Sequence, residues 1–343
     1  MAVPGVRLSI MGTSARGQLK SFMNLYRAIP LVLLSSLVLF AAGCRAPGSP
    51  SRSFHFDYIA RIVGIAAGAQ KVDIWIPVPQ NDETQKITNL EIKAPGEHRL
   101  TTEKVYGNRM VYASLGAPFP EEAEVRVSFD VERREVSGVS SLRAAAAGER
   151  LLAGDRMAPI SDEVRKRARE ASARGGGAVE VARGLYDRVL EDMTYDKSGK
   201  GWGRGDVGHA CAIGQGNCSD FHTLFIAMAR SRKVPAVFEI GFPIPTGKTE
   251  GRIGGYHCWA WYADGESWKP VDISEADKAP GKTEYFFGTI CRNRFSMSAG
   301  RDLVLEPEQQ GDPVNFFIYP YAEVDGKPGG AKVERSFTFR DLN

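Results

Sequence analysis

The fold of this chain is decided by the stretch GNCSDFHTLFIAMARSRKVP, residues 216–235. Glycine and asparagine before Cys218 indicate a loop, and the apolar residues that follow recur at helical spacing until Pro235 ends the run. Cys218 is therefore predicted to open a helix whose apolar face is buried. The partial positive charge at a helix start lowers the pKa of a thiol, and the free N–H groups there can bind an oxyanion.

A second stretch, YHCWAWYADGESWKPVD at residues 256–272, predicts a β-hairpin. Its aromatic residues alternate as in a strand, and the Asp-Gly dipeptide favours a tight turn. If that dipeptide forms the turn, counting outward pairs His257 with Asp272, and cross-strand partners lie about 5 Å apart. A thiol, a base and a carboxylate that orients the base together indicate nucleophilic catalysis. Cys218, His257 and Asp272 are therefore the predicted catalytic residues.

Residues from about 195 to 277 resemble the transglutaminase-like superfamily, a branch of the papain-like cysteine fold. The matching pieces are GNCSDF at 216–221, ARSRKVPA at 229–236, GYHCW at 255–259 and WKPVDIS at 268–274. The resemblance implies an α+β core in which the nucleophile helix packs on an antiparallel sheet that carries the other two catalytic residues. Relatives commonly have glycine within the segment that is Ser-Arg-Lys at 231–233 here.

Four further side chains are candidates for the site. Papain-like enzymes use a glutamine upstream of the cysteine as an oxyanion donor, which implicates Gln215, although their spacing is usually larger. Tyr195 and Trp202 belong to a glycine-rich loop and are predicted to line a substrate groove, although they could equally pack the loop itself. Trp259 shares the face of His257 on the predicted strand and could wall the site from water.

The chain before the core is all-β. The segments FHFDYI at 54–59, VDIWI at 72–76 and VRVSFDV at 125–131 alternate with a period of two, which predicts a β-sandwich of about seven strands. The predicted organisation is a signal peptide at 1–43, a flexible tether at 44–53, the β-sandwich domain at 54–137 and the transglutaminase-like catalytic domain at 138–343.

The N-terminus carries a targeting pattern. Basic residues precede an apolar run at 28–42, and the run ends in AAGC at 41–44, which resembles a bacterial lipoprotein signal with Cys44 as the lipidated residue. Ala41 departs from the leucine that is usual there. The pattern predicts a lipid-anchored protein of the bacterial cell envelope, on the periplasmic or outer face. An ordinary cleaved signal and an uncleaved anchor are the alternatives, and Met11 or Met23 could be the true start.

Charge and cysteine usage narrow the function class. The formal net charge is +3, and four basic residues without an acid lie in residues 1–43, so the mature chain would carry −1. No basic stripe survives to bind nucleic acid. Cys211, Cys218 and His222 match no common zinc spacing and no calcium loop is present, so neither a metal nor another cofactor is expected. A disulfide among Cys211, Cys258 and Cys291 is left open.

These observations predict an exported cysteine enzyme that acts on amides of a peptide or protein through a thioacyl intermediate. Hydrolysis, by a peptidase or amidase, is favoured because water is in excess in the envelope. Transfer to an amine, which would cross-link proteins, is the first alternative. A non-catalytic lipoprotein that binds or scaffolds envelope components is the second, and the oligomeric state is left open.

Overall fold

The computed structural model describes residues 49–342, which belong to one compact unit. The predicted signal peptide at 1–43, the lipidation residue Cys44 and the first part of the tether lie outside the described residues. Among the described residues, no helix is both long enough and apolar enough to span a bilayer.

Most of the regular structure is antiparallel sheet. The strands of the described residues are, in chain order, β1 Ser51–Val63, β2 Lys71–Val78, β3 Gln85–Lys93, β4 Glu97–Thr102, β5 Arg109–Gly116, β6 Glu122–Arg134, β7 Thr194–Tyr195, β8 Gln215–Gly216, β9 Ala236–Pro243, β10 Glu250–Arg252, β11 His257–Asp264, β12 Ser267–Val271, β13 Arg294–Ala299, β14 Tyr321–Val324, β15 Lys327–Pro328 and β16 Lys332–Asp341. The α-helices of the same part of the chain are α1 Asp162–Ala171, α2 Ala178–Asp192, α3 Val207–Ile213, α4 Cys218–Ser231, α5 Ile273–Lys278 and α6 Thr283–Phe286.

The N-terminal strands form two five-stranded sheets, in the orders β10-β16-β1-β6-β3 and β15-β14-β2-β5-β4. Along β1 and β6, buried residues alternate with more exposed ones, as expected for strands with one face in a core. Phe56 from one sheet and Ile74 from the other are fully buried in the same apolar cluster. This arrangement confirms the predicted β-sandwich.

The last strands of the chain complete these sheets. β16 pairs with most of β1, from Phe54 opposite Asp341 to Val63 opposite Lys332, and β14 pairs with β2. The predicted division between 54–137 and 138–343 therefore does not separate the strands. β16 covers the backbone groups that β1 would otherwise expose at a sheet edge, and its Phe337 and Phe339 are buried with the sandwich core.

The segment that contains Cys218, His257 and Asp272 has a four-stranded sheet in the order β12-β11-β9-β13, and α4 packs against β11 and β9. Helices α1, α2 and α3 in turn contact α4, so α4 is buried from Cys218 to Arg230. A nucleophile helix on an antiparallel sheet is the predicted α+β core, and this prediction is confirmed.

The β11–β12 hairpin differs from the predicted register. Asp264 pairs with Ser267 and the last pair is Ala260 with Val271, so the turn residues are Gly-Glu at 265–266 rather than Asp-Gly at 264–265. Continuing this register would put residue 274, not 272, opposite His257. The shift of two residues preserves the face, so Asp272 becomes a diagonal neighbour of His257. The predicted pairing was wrong, but the two residues still lie together.

Helix α4 ends at Ser231 and is followed by a residue with left-handed backbone. Lys233, two residues beyond the helix, has a φ of 65°, in the region that favours glycine. This conformation fits the glycine that the sequence resemblance leads us to expect in this segment.

Candidate active site

The start of helix α4 is fixed by reciprocal capping. The Asn217 side-chain oxygen accepts from the backbone N–H of Ser219 at 2.8 Å, and the Asp220 carboxylate accepts from the N–H of Asn217 at 2.9 Å. This is the capping-box arrangement, and it makes Cys218 the first helical residue. Only 2% of Cys218 is exposed, so its sulfur sits at the helix start with little contact to bulk water.

His257 and Asp272 meet at the ends of two neighbouring strands. His257 begins β11, and Asp272 follows the last residue of β12 and caps helix α5 by accepting from the N–H of Glu275 at 3.4 Å. Nε2 of His257 lies 2.8 Å from Oδ2 of Asp272, with both side chains buried. The charge of His257 also acts on the Cys218 thiol and helps to lower its pKa. Since Nε2 faces Asp272, Nδ1 is the nitrogen left for the sulfur.

The three side chains stabilise one another's charged forms. Burial alone would raise the pKa of the Cys218 thiol, but hydrogen bonds from Cys258 and His257, with the charge of His257, lower it well below its usual value. Burial works to lower the pKa of His257, yet the Asp272 carboxylate raises it to about 9. Burial would raise the pKa of Asp272, and the charge of His257 brings it to about 2. A thiolate beside an imidazolium is therefore the favoured state near neutral pH.

His222 connects the two helices that start at this site. Its Nδ1 lies 2.8 Å from the carbonyl oxygen of Cys218, and its Nε2 accepts from the N–H of Ile273 at 2.9 Å. These partners require a neutral ring with the proton on Nδ1, and burial lowers the pKa of His222 accordingly. His222 therefore does not pair ionically with Asp272, which is 3.7 Å away. It holds the start of α4 against the start of α5.

Two residues of the GYHCW motif hold the residues next to the nucleophile. The Tyr256 hydroxyl lies 3.0 Å from Nδ2 of Asn217 and 2.9 Å from Oγ of Ser219. The buried Cys258 sulfur lies 3.8 Å from Oγ of Ser219. Each of these contacts reaches a residue adjacent to Cys218, so the strand start fixes the helix start.

The four cysteines within the described residues are all free thiols, so no disulfide joins Cys211, Cys258 and Cys291.

An ion-pair network covers the Asp272 side of the site. Nη2 of Arg294 lies 3.0 Å from the Glu275 carboxylate, which also accepts from Nζ of Lys278 at 2.7 Å. Nε of Arg294 lies 3.9 Å from Oδ2 of Asp272. Burial works against the charge on Arg294, but Asp272 and the neighbouring acids outweigh it and raise the pKa of the guanidinium. Arg294 thus places a fixed cation beside Asp272, and the sequence analysis did not single it out.

The glycine-rich loop is tied to the same helix start. The buried Asp220 carboxylate accepts from the backbone N–H groups of Gly203 at 2.6 Å and Gly205 at 3.0 Å. Gly205 has a φ of 61°, and a Cβ there would lie 2.6 Å from Oγ1 of Thr223, so only glycine lets the loop approach α4 this closely. Nη1 of Arg301 donates to the Gly205 carbonyl at 2.9 Å and secures the loop from the other side.

The predicted groove residues and the oxyanion candidate Gln215 differ in where they lie and in how exposed they are. Tyr195 lies beside the nucleophile segment, because it pairs with Gly216 across the β7–β8 ladder, and Lys278 sits 3.7 Å over its ring. Trp202 and Gln215 are exposed and line a common pocket. Whether Gln215 donates to an oxyanion stays a prediction.

Trp259 is different, because it is fully buried and its indole N–H donates to Glu239 at 2.6 Å. It packs under His257 within an apolar cluster that includes Trp75 and Leu151. The prediction that Trp259 lines the groove was therefore wrong.

The described residues hold no group of three or more metal-ligating side chains that could bind a metal ion.

Comparisons with known proteins agree with this architecture. Residues 165–273 match the family model of the transglutaminase-like superfamily. An uncharacterised protein of Haemophilus influenzae is 23% identical over 310 residues, which is 77% of this chain and 84% of that protein. A crystal structure from Cytophaga hutchinsonii, named as a candidate cysteine protease, superposes with a TM-score of 0.57 at 15% identity, covering 86% of this chain and 92% of that one.

A third likeness is weaker. The periplasmic domain of TgpA from Pseudomonas aeruginosa gives a TM-score of 0.36 at 14% identity, over 68% of this chain and 94% of that domain. The family match covers the segment that contains Cys218, His257 and Asp272, and it confirms the resemblance drawn from the sequence. The chain therefore carries, at residues 165–273, a core domain of the transglutaminase-like superfamily.

Proposed function

We propose that this protein is a cysteine-dependent enzyme that cleaves amide bonds of a peptide or protein, with Cys218 as the nucleophile. The observation that carries the proposal is the buried contact of His257 with Asp272 at 2.8 Å beside a thiol whose pKa is lowered at a helix start. Burial of charged groups costs free energy unless opposite charges stabilise each other. Strongly shifted pKa values of this kind cluster at functional sites.

The reaction follows from the charges at the site. The Cys218 thiolate attacks the amide carbonyl carbon and forms a C–S bond, and the His257 imidazolium gives its proton to the leaving nitrogen as the C–N bond breaks. The amine departs and a thioester remains on Cys218. His257, now neutral, takes a proton from a water molecule as the water oxygen forms a bond to the thioester carbon. The C–S bond then breaks, the acid leaves, and the Cys218 thiolate and the His257 imidazolium are restored. Asp272 holds the His257 ring in place and stabilises its positive form.

The developing oxyanion needs donors near Cys218. The N–H groups of Ser219, Asp220 and Phe221 already have acceptors in Asn217. This leaves the N–H of Cys218, at the very start of α4, as the backbone donor nearest the reacting carbon. Gln215, three residues upstream, is the proposed second donor.

A thiol-directed acyl probe tests the proposal directly. Wild-type protein should be labelled at one site, identified by mass spectrometry as Cys218, and Cys218→Ala should lose the label. Cys291→Ala serves as the matched control, because that residue is also a free thiol and is not one of the three proposed catalytic residues. Equal labelling of wild type and Cys218→Ala would refute the assignment and favour the non-catalytic scaffold.

Hydrolysis is proposed over amine transfer, because water is the abundant acceptor around an exported enzyme. Mass spectrometry of peptide products, with and without a lysine analogue as added amine, separates the two. Free acids alone support hydrolysis, and stable amine conjugates at a comparable rate support transfer.

The proposed location is the bacterial envelope, with lipid on Cys44 as the anchor. The basic and apolar N-terminal pattern ending in AAGC supports this location. One test replaces residues 1–44 by a plain cleavable signal. The resulting protein should leave the membrane fraction and keep its activity, whereas continued pelleting with membranes would mean that something other than the lipid holds it there.

A further inference from the structure

A small pocket lies beside strand β8, which leads directly into Cys218. It has a volume of about 170 Å³ and is lined by Asp196, Lys200, Trp202, His209, Ile213 and Gln215. Six large apolar side chains are exposed among the described residues, and two of them, Trp202 and Ile213, line this one pocket. Their exposed fractions are 36% and 56%. Apolar side chains gathered in an open concavity indicate a surface that another molecule covers.

The pocket is connected to the start of helix α4 through two of the residues that line it. Gln215 is separated from Cys218 only by Gly216 and the capping residue Asn217. Trp202 precedes Gly203, where a Cβ would lie 3.2 Å from Nδ2 of Asn217. The pocket is therefore tied to the helix start that holds Cys218, on the side from which strand β8 approaches.

Charges of both signs lie around the pocket. Lys200 and Asp196 line it, and Nζ of Lys197 lies 5.8 Å from the centre of the Trp202 ring. The Asp196 carboxylate accepts from the N–H and hydroxyl of Ser198 at 2.8 and 2.9 Å. Because these opposite charges partly offset one another, the exposed apolar surface of Trp202 and Ile213 favours a neutral side chain that covers both.

The volume limits the size of the occupant. Pockets for whole small-molecule ligands usually measure about 300–1,000 Å³, so a cavity of about 170 Å³ holds one side chain rather than a free ligand. Cys218 is itself nearly buried, so a peptide must be held close to the helix start to reach it.

We propose that this pocket, bounded by Trp202 and Ile213, binds an uncharged aliphatic or aromatic side chain of the peptide whose amide Cys218 attacks. The inference rests on the proposed function, since it gives the side-chain preference of that same site. Burial of the side chain against Trp202 and Ile213 supplies the selectivity, and the polar rim residues His209 and Gln215 are left for the peptide backbone.

The test uses peptidyl acyloxymethyl ketones, which alkylate a catalytic thiolate. Probes of one sequence carry Leu, Ala, Lys or Glu at each of the two residues before the reactive carbon. The second-order rate of Cys218 labelling is measured by mass spectrometry, with iodoacetamide as a probe that has no side chain. At one of the two positions, the Leu probe should label wild-type protein at least about tenfold faster than the Ala, Lys and Glu probes.

Two variants test whether the pocket causes the preference for Leu. In Trp202→Ala and Ile213→Ser the preference for Leu over Ala should fall below about threefold, while labelling by iodoacetamide stays unchanged. Ile213 is more than half exposed, so its loss does not threaten the fold. Leu100→Ser is the matched control, because Leu100 is an exposed apolar residue on β4 in the sandwich, and it should keep the preference.

Each outcome decides between the two proposals. If iodoacetamide and the peptide probes label Cys218 but no Leu preference exists, or if the preference survives in both variants, the pocket inference is overturned and the nucleophile assignment stands. If no probe labels Cys218, the proposed function fails and this inference falls with it.

Discussion

The two sides of Cys218 are built differently. On one side His257, Asp272 and His222 are buried, and their polar atoms are matched to partners at 2.8–2.9 Å. On the other side Trp202 and Gln215 are exposed around a small open pocket. Burial and these hydrogen bonds hold the side chains of the buried side in one arrangement, which suits a proton transfer by His257. The exposed side leaves room for a ligand.

The largest expected effect is on the buried side. Cys218→Ala should abolish amide cleavage, because the neighbouring Cys258 thiol is fully buried and burial raises its pKa, so it cannot replace Cys218 as the nucleophile. The variant should keep its melting temperature within a few degrees of wild type. Activity on a peptide library and thermal unfolding measure the two quantities. Cys291→Ala should keep full activity, and turnover that persists in Cys218→Ala would end the nucleophile assignment.

Asp272→Asn should cost less than loss of the nucleophile, about 10²- to 10⁴-fold in kcat/KM. The amide cannot stabilise the imidazolium, although the thiolate can still attack. Asp264→Asn makes the same substitution at the turn of the same hairpin, where the side chain only pairs with Lys269 on the surface, and it should have little effect. An equal and complete loss in Asp272→Asn and Cys218→Ala, with both folded, would give Asp272 a role beyond orienting His257.

Arg294→Gln should move the alkaline limb of the pH–rate profile rather than abolish activity. The Arg294 cation lowers the pKa of His257, so its removal lets that pKa rise above about 9. Activity that needs protonated His257 then persists to higher pH. Arg294→Lys keeps the charge and should leave the limb in place, and a limb that is unmoved in Arg294→Gln would show that the cation does not act on the buried side.

The smallest effect is at the far end of the nucleophile helix. Lys233→Gly should increase the free energy of unfolding by up to about 1 kcal/mol, because glycine adopts the left-handed conformation without strain. Urea denaturation measures the change. Arg232→Gly is the matched control, since its φ of −93° suits any residue, and there glycine should destabilise the protein. A loss of stability in both variants would remove the strain argument.

The features that could be predicted from the sequence are those that depend on local signals. Cys218 at a helix start follows from local signals: the glycine and asparagine before it, a helical apolar period and a proline. The contact of His257 with Asp272 follows from the alternation of the hairpin, and it survived an error in the turn because a shift of two residues preserves the face. Features of this kind depend on chain neighbours and short spacings.

Other features depend on contacts between distant segments. The face that Trp259 shares with His257 is covered by residues such as Trp75 and Leu151, and alternation alone cannot tell a covered face from a groove. Arg294 lies on β13 and reaches Asp272 from there, and no spacing pattern in the sequence predicts this contact. β16 pairs with β1 although the two strands lie near opposite ends of the described chain, so no local pattern indicates this pairing.

The central claim is that His257 and the helix start hold Cys218 as a thiolate near neutral pH. The pH dependence of Cys218 alkylation by iodoacetamide, followed by mass spectrometry, tests it without knowledge of the substrate. The account predicts that the wild-type rate is already close to its plateau at about pH 7, well below the usual thiol pKa of about 8.5, and that His257→Gln shifts the titration back toward that value. A wild-type titration near pH 8.5 that His257→Gln leaves unchanged would contradict it.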